Sequence, residues 1–64
     1  MDYHNLSSST ISRVGYDLET QAMQITFVNG RTYDLSGVPP DLADGLVASD
    51  SPGRYFNMYL KGRY

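Results

Sequence analysis

Two successive runs of strict alternation limit what this chain can fold into. Val14, Tyr16 and Leu18 alternate with Arg13, Gly15 and Asp17, and Met23, Ile25 and Phe27 repeat the pattern after a short interval. A period of two marks a strand with one buried face, because successive side chains leave a pleated backbone on opposite sides. With Glu19 to Ala22 as a four-residue loop, Leu18 faces Met23 and the two apolar rows share one side of a hairpin.

Asn29-Gly30 marks the next reversal. Read as a two-residue turn, it pairs Val28 with Arg31 and sends Tyr33 and Leu35 to the face opposite Ile25 and Phe27. A three-residue loop, Val28-Asn29-Gly30 with Gly30 left-handed in a G1 bulge, pairs Ile25 with Tyr33 and Met23 with Leu35 instead. The second solution gathers the apolar side chains on one face and is the one expected. It yields a three-stranded antiparallel meander, roughly over residues 11–18, 22–28 and 31–36, flat or curled toward a small barrel, with one face in need of a cover.

The cover is helical. Pro39 and Pro40 set a start, Asp41 and Asp44 sit where the helix dipole favours anions, and Leu42 with Leu46 and Ala43 with Val47 stack at i,i+4. Gly45 weakens that helix. A second start follows at Ser51-Pro52, with Ser51 as N-cap, and Tyr55, Phe56, Tyr59 and Leu60 form an apolar stripe that Gly62 ends. The expected architecture is α+β in the order β-β-β-α-α. Residues 1–6 read as a flexible N-terminus and residues 7–64 as the domain, with no repeat or linker.

Length leaves room for one domain of 64 residues, which buries only about 60% of its unfolded surface, so the large apolar residues are needed in the core. No cysteine is present to brace it, which excludes a disulfide scaffold and a thiolate site and makes a reducing cytoplasm the expected compartment. Met1 to Leu6 lacks the pattern of an export signal, and the longest apolar run, Leu46-Val47-Ala48, falls far short of the ~20 residues of a membrane span. No membrane association is expected.

Catalysis is the class that the residue types support least. The single histidine, His4, falls in the segment expected to be flexible, and the hydroxyl run Ser7 to Thr10 has no evident base beside it. Backbone hydrogen bonding or edge capping suits that run better. One histidine, no cysteine and scattered aspartates give no metal-ligand spacing, and Gly37, Gly45 and Gly53 make no phosphate loop. No enzyme activity and no cofactor are expected.

Charge and aromaticity point elsewhere. A net charge of −2 conceals a split between an acidic stretch, Asp34, Asp41, Asp44 and Asp50, and a C-terminal segment that carries Arg54, Lys61 and Arg63 without a side-chain carboxylate. The plain reading is a helix with solvated cations; the sharper one is a positive patch. Six tyrosines and two phenylalanines offer faces for base stacking, but Tyr16, Phe27, Tyr33, Phe56 and one of Tyr55 or Tyr59 are wanted in the core.

Several segments together resemble the KTSC domain, a module of about this length named after its occurrence at the C-terminus of some lysyl-tRNA synthetases. The matching residues are Ser8, Ser9 and Ile11, Gly15-Tyr16-Asp17, Ile25-Thr26-Phe27 with Asn29-Gly30, Tyr33, Val38-Pro39, Ala48-Ser49, Gly53, Tyr55-Phe56-Asn57, Leu60 and Tyr64. The family's central Tyr-x-Tyr pattern stands here as Tyr33-Asp34-Leu35, so any role of the second ring is open to question. The resemblance covers nearly the whole chain from Ser7 and implies a small interaction module, with RNA binding as the suggested activity.

Arg31, Arg54, Tyr59, Lys61, Arg63 and Tyr64 are the residues expected to be exposed and to meet a partner. That partner is RNA, held weakly, or alternatively a protein or small ligand contacted by the Tyr- and Arg-rich C-terminal helix, for which the same residue types serve. An open strand edge also permits a dimer.

Overall fold

The computed structural model describes all 64 residues. It contains four strands, β1 (Asp2–Asn5), β2 (Ile11–Asp17), β3 (Ala22–Phe27) and β4 (Thr32–Leu35), then helices α1 (Pro40–Ala48) and α2 (Pro52–Tyr55), the latter running on into a π-helical turn, Phe56–Leu60. The strands form one antiparallel sheet in the order β1-β2-β3-β4. The sheet is open, so the expected α+β class holds, whereas the three-strand count and the curl toward a barrel do not.

The extra strand comes from the segment read as flexible. Asp2 pairs with Tyr16 and Asn5 with Arg13, and the Arg13 guanidinium lies 4.5 Å above the Tyr3 ring. Every β1 residue is exposed. A strand held by backbone pairing and one cation–π contact shows no hydrophobic period, which hid it from pattern reading.

At the β3–β4 reversal the three-residue loop is found. The Phe27 N–H donates to the Arg31 carbonyl at 2.7 Å, the Gly30 N–H returns to the Phe27 carbonyl at 2.9 Å, and Gly30 has φ 94°. Ile25 accordingly faces Tyr33 and Met23 faces Leu35. Leu35 is buried, so the residue that breaks the Tyr-x-Tyr pattern serves the core.

The first hairpin turns one residue earlier than expected, over residues 18–21 rather than 19–22, which shifts the register by two. Asp17 Oδ1 accepts the Glu19 N–H at 3.0 Å, and the Gln21 N–H closes onto the Asp17 carbonyl at 2.7 Å with Gln21 at φ 59°. This side-chain turn makes Tyr16, not Leu18, the partner of Met23 and leaves Leu18 68% exposed. A two-residue shift keeps the apolar face intact. Farther along, a bulge at Ser12 breaks the alternation so that Ile11 and Val14 are both fully buried.

One face of the sheet and the helices enclose the core of Ile11, Val14, Met23, Ile25, Leu35, Val38, Ala43, Leu46, Phe56 and Leu60. Full burial of an aliphatic side chain of this size stabilises by about 1.5–3 kcal/mol, and no buried side-chain polar atom lacks a partner. α1 begins with Pro40 at its first position, as the diproline predicts. Ser51 precedes α2 but its hydroxyl makes no capping bond; its carbonyl instead accepts the Tyr55 N–H at 3.0 Å. The Lys61 N–H reaches the Phe56 carbonyl at 2.8 Å, which widens the last turn. Gly62, at φ 78°, follows that turn, in keeping with its expected stop.

Candidate functional site

Small polar residues build an open groove of about 880 Å³. One wall is the loop between β1 and β2, from Leu6 to Thr10; the other is the α1–α2 junction, from Ser49 to Arg54, with Asn57 and Met58 of the π-helical turn.

Local hydrogen bonds fix both walls. Ser8 Oγ accepts the Thr10 N–H at 3.0 Å and the Ile11 N–H at 3.3 Å, and Ser49 Oγ accepts the Ser51 N–H at 3.0 Å. These hydroxyls replace ladder partners that an irregular backbone lacks. The walls touch at Gly53, where a Cβ would fall 2.8 Å from Thr10 Cγ2, so the close approach of helix and loop requires glycine. Thr10 also accepts the Val28 N–H at 2.9 Å through its carbonyl, which sets the β3–β4 turn against the same loop.

Of the residues expected to meet a partner, all six are exposed, but only Arg54 lines the groove. Tyr59 lies farther along the same helical segment, 43% exposed, with its ring 4.8 Å from that of Tyr55 and tilted by 50°. Burial, and then the proximity of Tyr59, push the Tyr55 phenol above its ordinary pKa. Lys61, Arg63 and Tyr64 follow the π-helical turn without entering the groove. Arg31 stands on a separate element, its N–H donating to Asn29 Oδ1 at 3.0 Å. The basic set is therefore a run along the C-terminal segment plus one arginine in the β3–β4 turn.

Sequence reading gives Ser7 to Thr10 backbone hydrogen bonding or edge capping, which Ser8 performs, and Ser51 an N-cap role, but gives Ser49 none. Their shared signal was a run of small hydroxyl residues at each of two chain reversals, which is also what ordinary turns look like. One carboxylate, Asp50, shares the groove with Arg54 and weakens its field for anions.

The aromatic expectation divides. Phe56 is buried and its ring meets Phe27 and Tyr33 edge-on, with centroids 5.2 and 5.7 Å away. Tyr33 belongs to that cluster yet stays 39% exposed. No group of three or more His, Cys, Asp or Glu side chains is placed to hold a metal, and no helix is long and apolar enough to cross a membrane.

Comparison with known proteins adds context. Residues 7–64 match the family model of the KTSC domain. A crystallographically solved KTSC domain protein from Yersinia pestis superposes with a TM-score of 0.90 at 32% identity, covering 97% of this chain and 87% of that one. An uncharacterised protein of Stutzerimonas stutzeri is 37% identical over 59 residues, which is 92% of this chain and 83% of the relative. A lysine–tRNA ligase of Nostoc punctiforme is 34% identical over 56 residues, 88% of this chain but only 10% of the ligase.

Proposed function

The chain belongs to the KTSC domain family, and from that premise we propose that it is a non-enzymatic interaction module that binds single-stranded RNA weakly along its C-terminal segment. The observation that carries this reading is the placement of Tyr59, an exposed ring braced by Tyr55, on the same segment as Arg54, Lys61 and Arg63. A braced ring is a stacking platform that loses little freedom on binding, and a stacked base contributes about 1–3 kcal/mol. The arginines and lysine supply phosphate contacts, and the hydroxyls of the groove beside Arg54 suit the sugar–phosphate backbone. The sequence likeness to part of a lysine–tRNA ligase, an enzyme with an RNA substrate in its name, agrees with that ligand class.

Electrostatics set the strength. Only three or four cations are available, and Asp50 opposes them, so binding is weak and salt-sensitive. Replacing Tyr59 by alanine removes the platform and is expected to weaken binding of a short single-stranded RNA about tenfold, read by fluorescence anisotropy. Met58 and Tyr64 are also exposed and give the same surface an apolar component. That favours, as the second reading, a protein partner whose binding persists at salt concentrations that abolish RNA binding.

A further inference from the structure

A second, smaller cavity of about 200 Å³ lies between β1, β2 and α1. Pairing of Asp2 with Tyr16 and of His4 with Val14 puts the Asp2 and His4 side chains on the sheet face that carries Val14, which is buried. A strand completing the core would be apolar at these positions. Here it presents a carboxylate and an imidazole, while α1 supplies Pro40, Ala43, Asp44 and Val47 to the same cavity. Five of the nine lining residues are apolar, and two exposed carboxylates from different elements, Asp2 and Asp44, share the lining.

None of the nine lining residues is a lysine or arginine, and His4 is the one basic side chain among them. Asp44 lies close enough to Tyr16 to help burial raise the phenol's pKa. The combination of aliphatic walls, an aromatic ring and two carboxylates in one lining matches a thin apolar stem that ends in a positive charge.

We propose that this cavity binds a primary alkylammonium group, its methylene stem against Val14, Ala43 and Val47 and its charge between Asp2 and Asp44. It is separate from the RNA reading, since none of its lining residues belongs to the C-terminal segment. Asp2 also lies outside residues 7–64, the span shared with the family model, so one of the two carboxylates comes from a strand beyond that match.

The test is a chemical-shift titration of the ¹⁵N-labelled full chain with n-butylammonium, with N-acetyl-lysine methylamide and, as the neutral counterpart, with 1-butanol. Both ammonium probes are expected to shift the amides of Val14, Tyr16, Ala43 and Val47, and 1-butanol to do so far more weakly. Asp2→Asn and Asp44→Asn should each weaken ammonium binding about twofold to fivefold while leaving the spectrum otherwise folded. Tighter binding of the lysine amide assigns the group to a protein side chain, and equal binding assigns it to a free amine. Absence of localised shifts, an equal response to 1-butanol, or indifference to both substitutions would overturn the proposal.

Discussion

The Tyr16 hydroxyl donates a 2.6 Å hydrogen bond to the Val38 carbonyl, 22 residues away in sequence. Val38 is fully buried, and its own N–H donates to the Gln21 carbonyl at 3.1 Å. The segment that leads from β4 into α1 is thus fastened to the β2–β3 hairpin at two points, and this sets where α1 crosses the sheet.

That bond carries a pH signature. The Tyr16 phenol is raised above the ordinary 10.0 by burial first, then by the negative charges of Asp44 and Asp17. An acid whose folded pKa exceeds its unfolded value binds its proton more tightly in the native state. Its contribution is therefore complete below pH 10.0 and is lost as pH rises through the raised value. Tyr55, also raised, acts in the same sense. Thermal melts followed by circular dichroism should show Tm falling above pH 10. Tyr16→Phe should lower Tm by several degrees at neutral pH and flatten the alkaline decline; a decline as steep as that of the parent would refute the assignment.

Gly45 is where helix propensity and packing disagree. An alanine there would recover about 1 kcal/mol of propensity, but its Cβ would fall 2.8 Å from Tyr55 Cζ. Overpacking of this kind costs about 1–3 kcal/mol, so Gly45→Ala should be destabilising by roughly 1 kcal/mol in urea unfolding. With Tyr55→Ala already in place the same substitution should stabilise, and the difference in sign is the coupling between the two residues.

These two residues show why the core was easier to read than the details around it. Alternation in β2, β3 and β4 fixed which side chains point inward, and the Asn29-Gly30 register followed from requiring one apolar face. Leu18 escaped because an Asp17 side-chain turn outcompeted a longer ladder, and β1 escaped because its stabilising contacts, Arg13 on Tyr3 among them, have no period. The π-helical turn left no signal either, since Phe56 and Leu60 face the core at α-helical spacing as well. For the site, Arg54 and Tyr59 were legible as exposed basic and aromatic residues. The groove beside them was not, because serine at a turn reads the same whether or not a cavity lies next to it.

Phe56 joins the helical segment to the sheet through its edge-on contacts with Phe27 and Tyr33. Truncation to alanine should cost about 3–5 kcal/mol. A domain of this size has little more than that in reserve, so Phe56→Ala should lose the dispersion of its NMR spectrum, and the parent should be recovered by Phe56→Leu at a smaller cost.

The central claim, RNA binding along the C-terminal segment, is tested most directly by titrating the ¹⁵N-labelled domain with short single-stranded RNA at low and at moderate salt. The account predicts shifts confined to Arg54, Tyr59, Lys61, Arg63, Tyr64 and the neighbouring groove. Affinity should fall with salt at a log–log slope of roughly −2 to −3, the value for three or four phosphate contacts on a single strand. A spectrum unchanged at high RNA excess and low salt would contradict it and direct attention to a protein partner for the same surface.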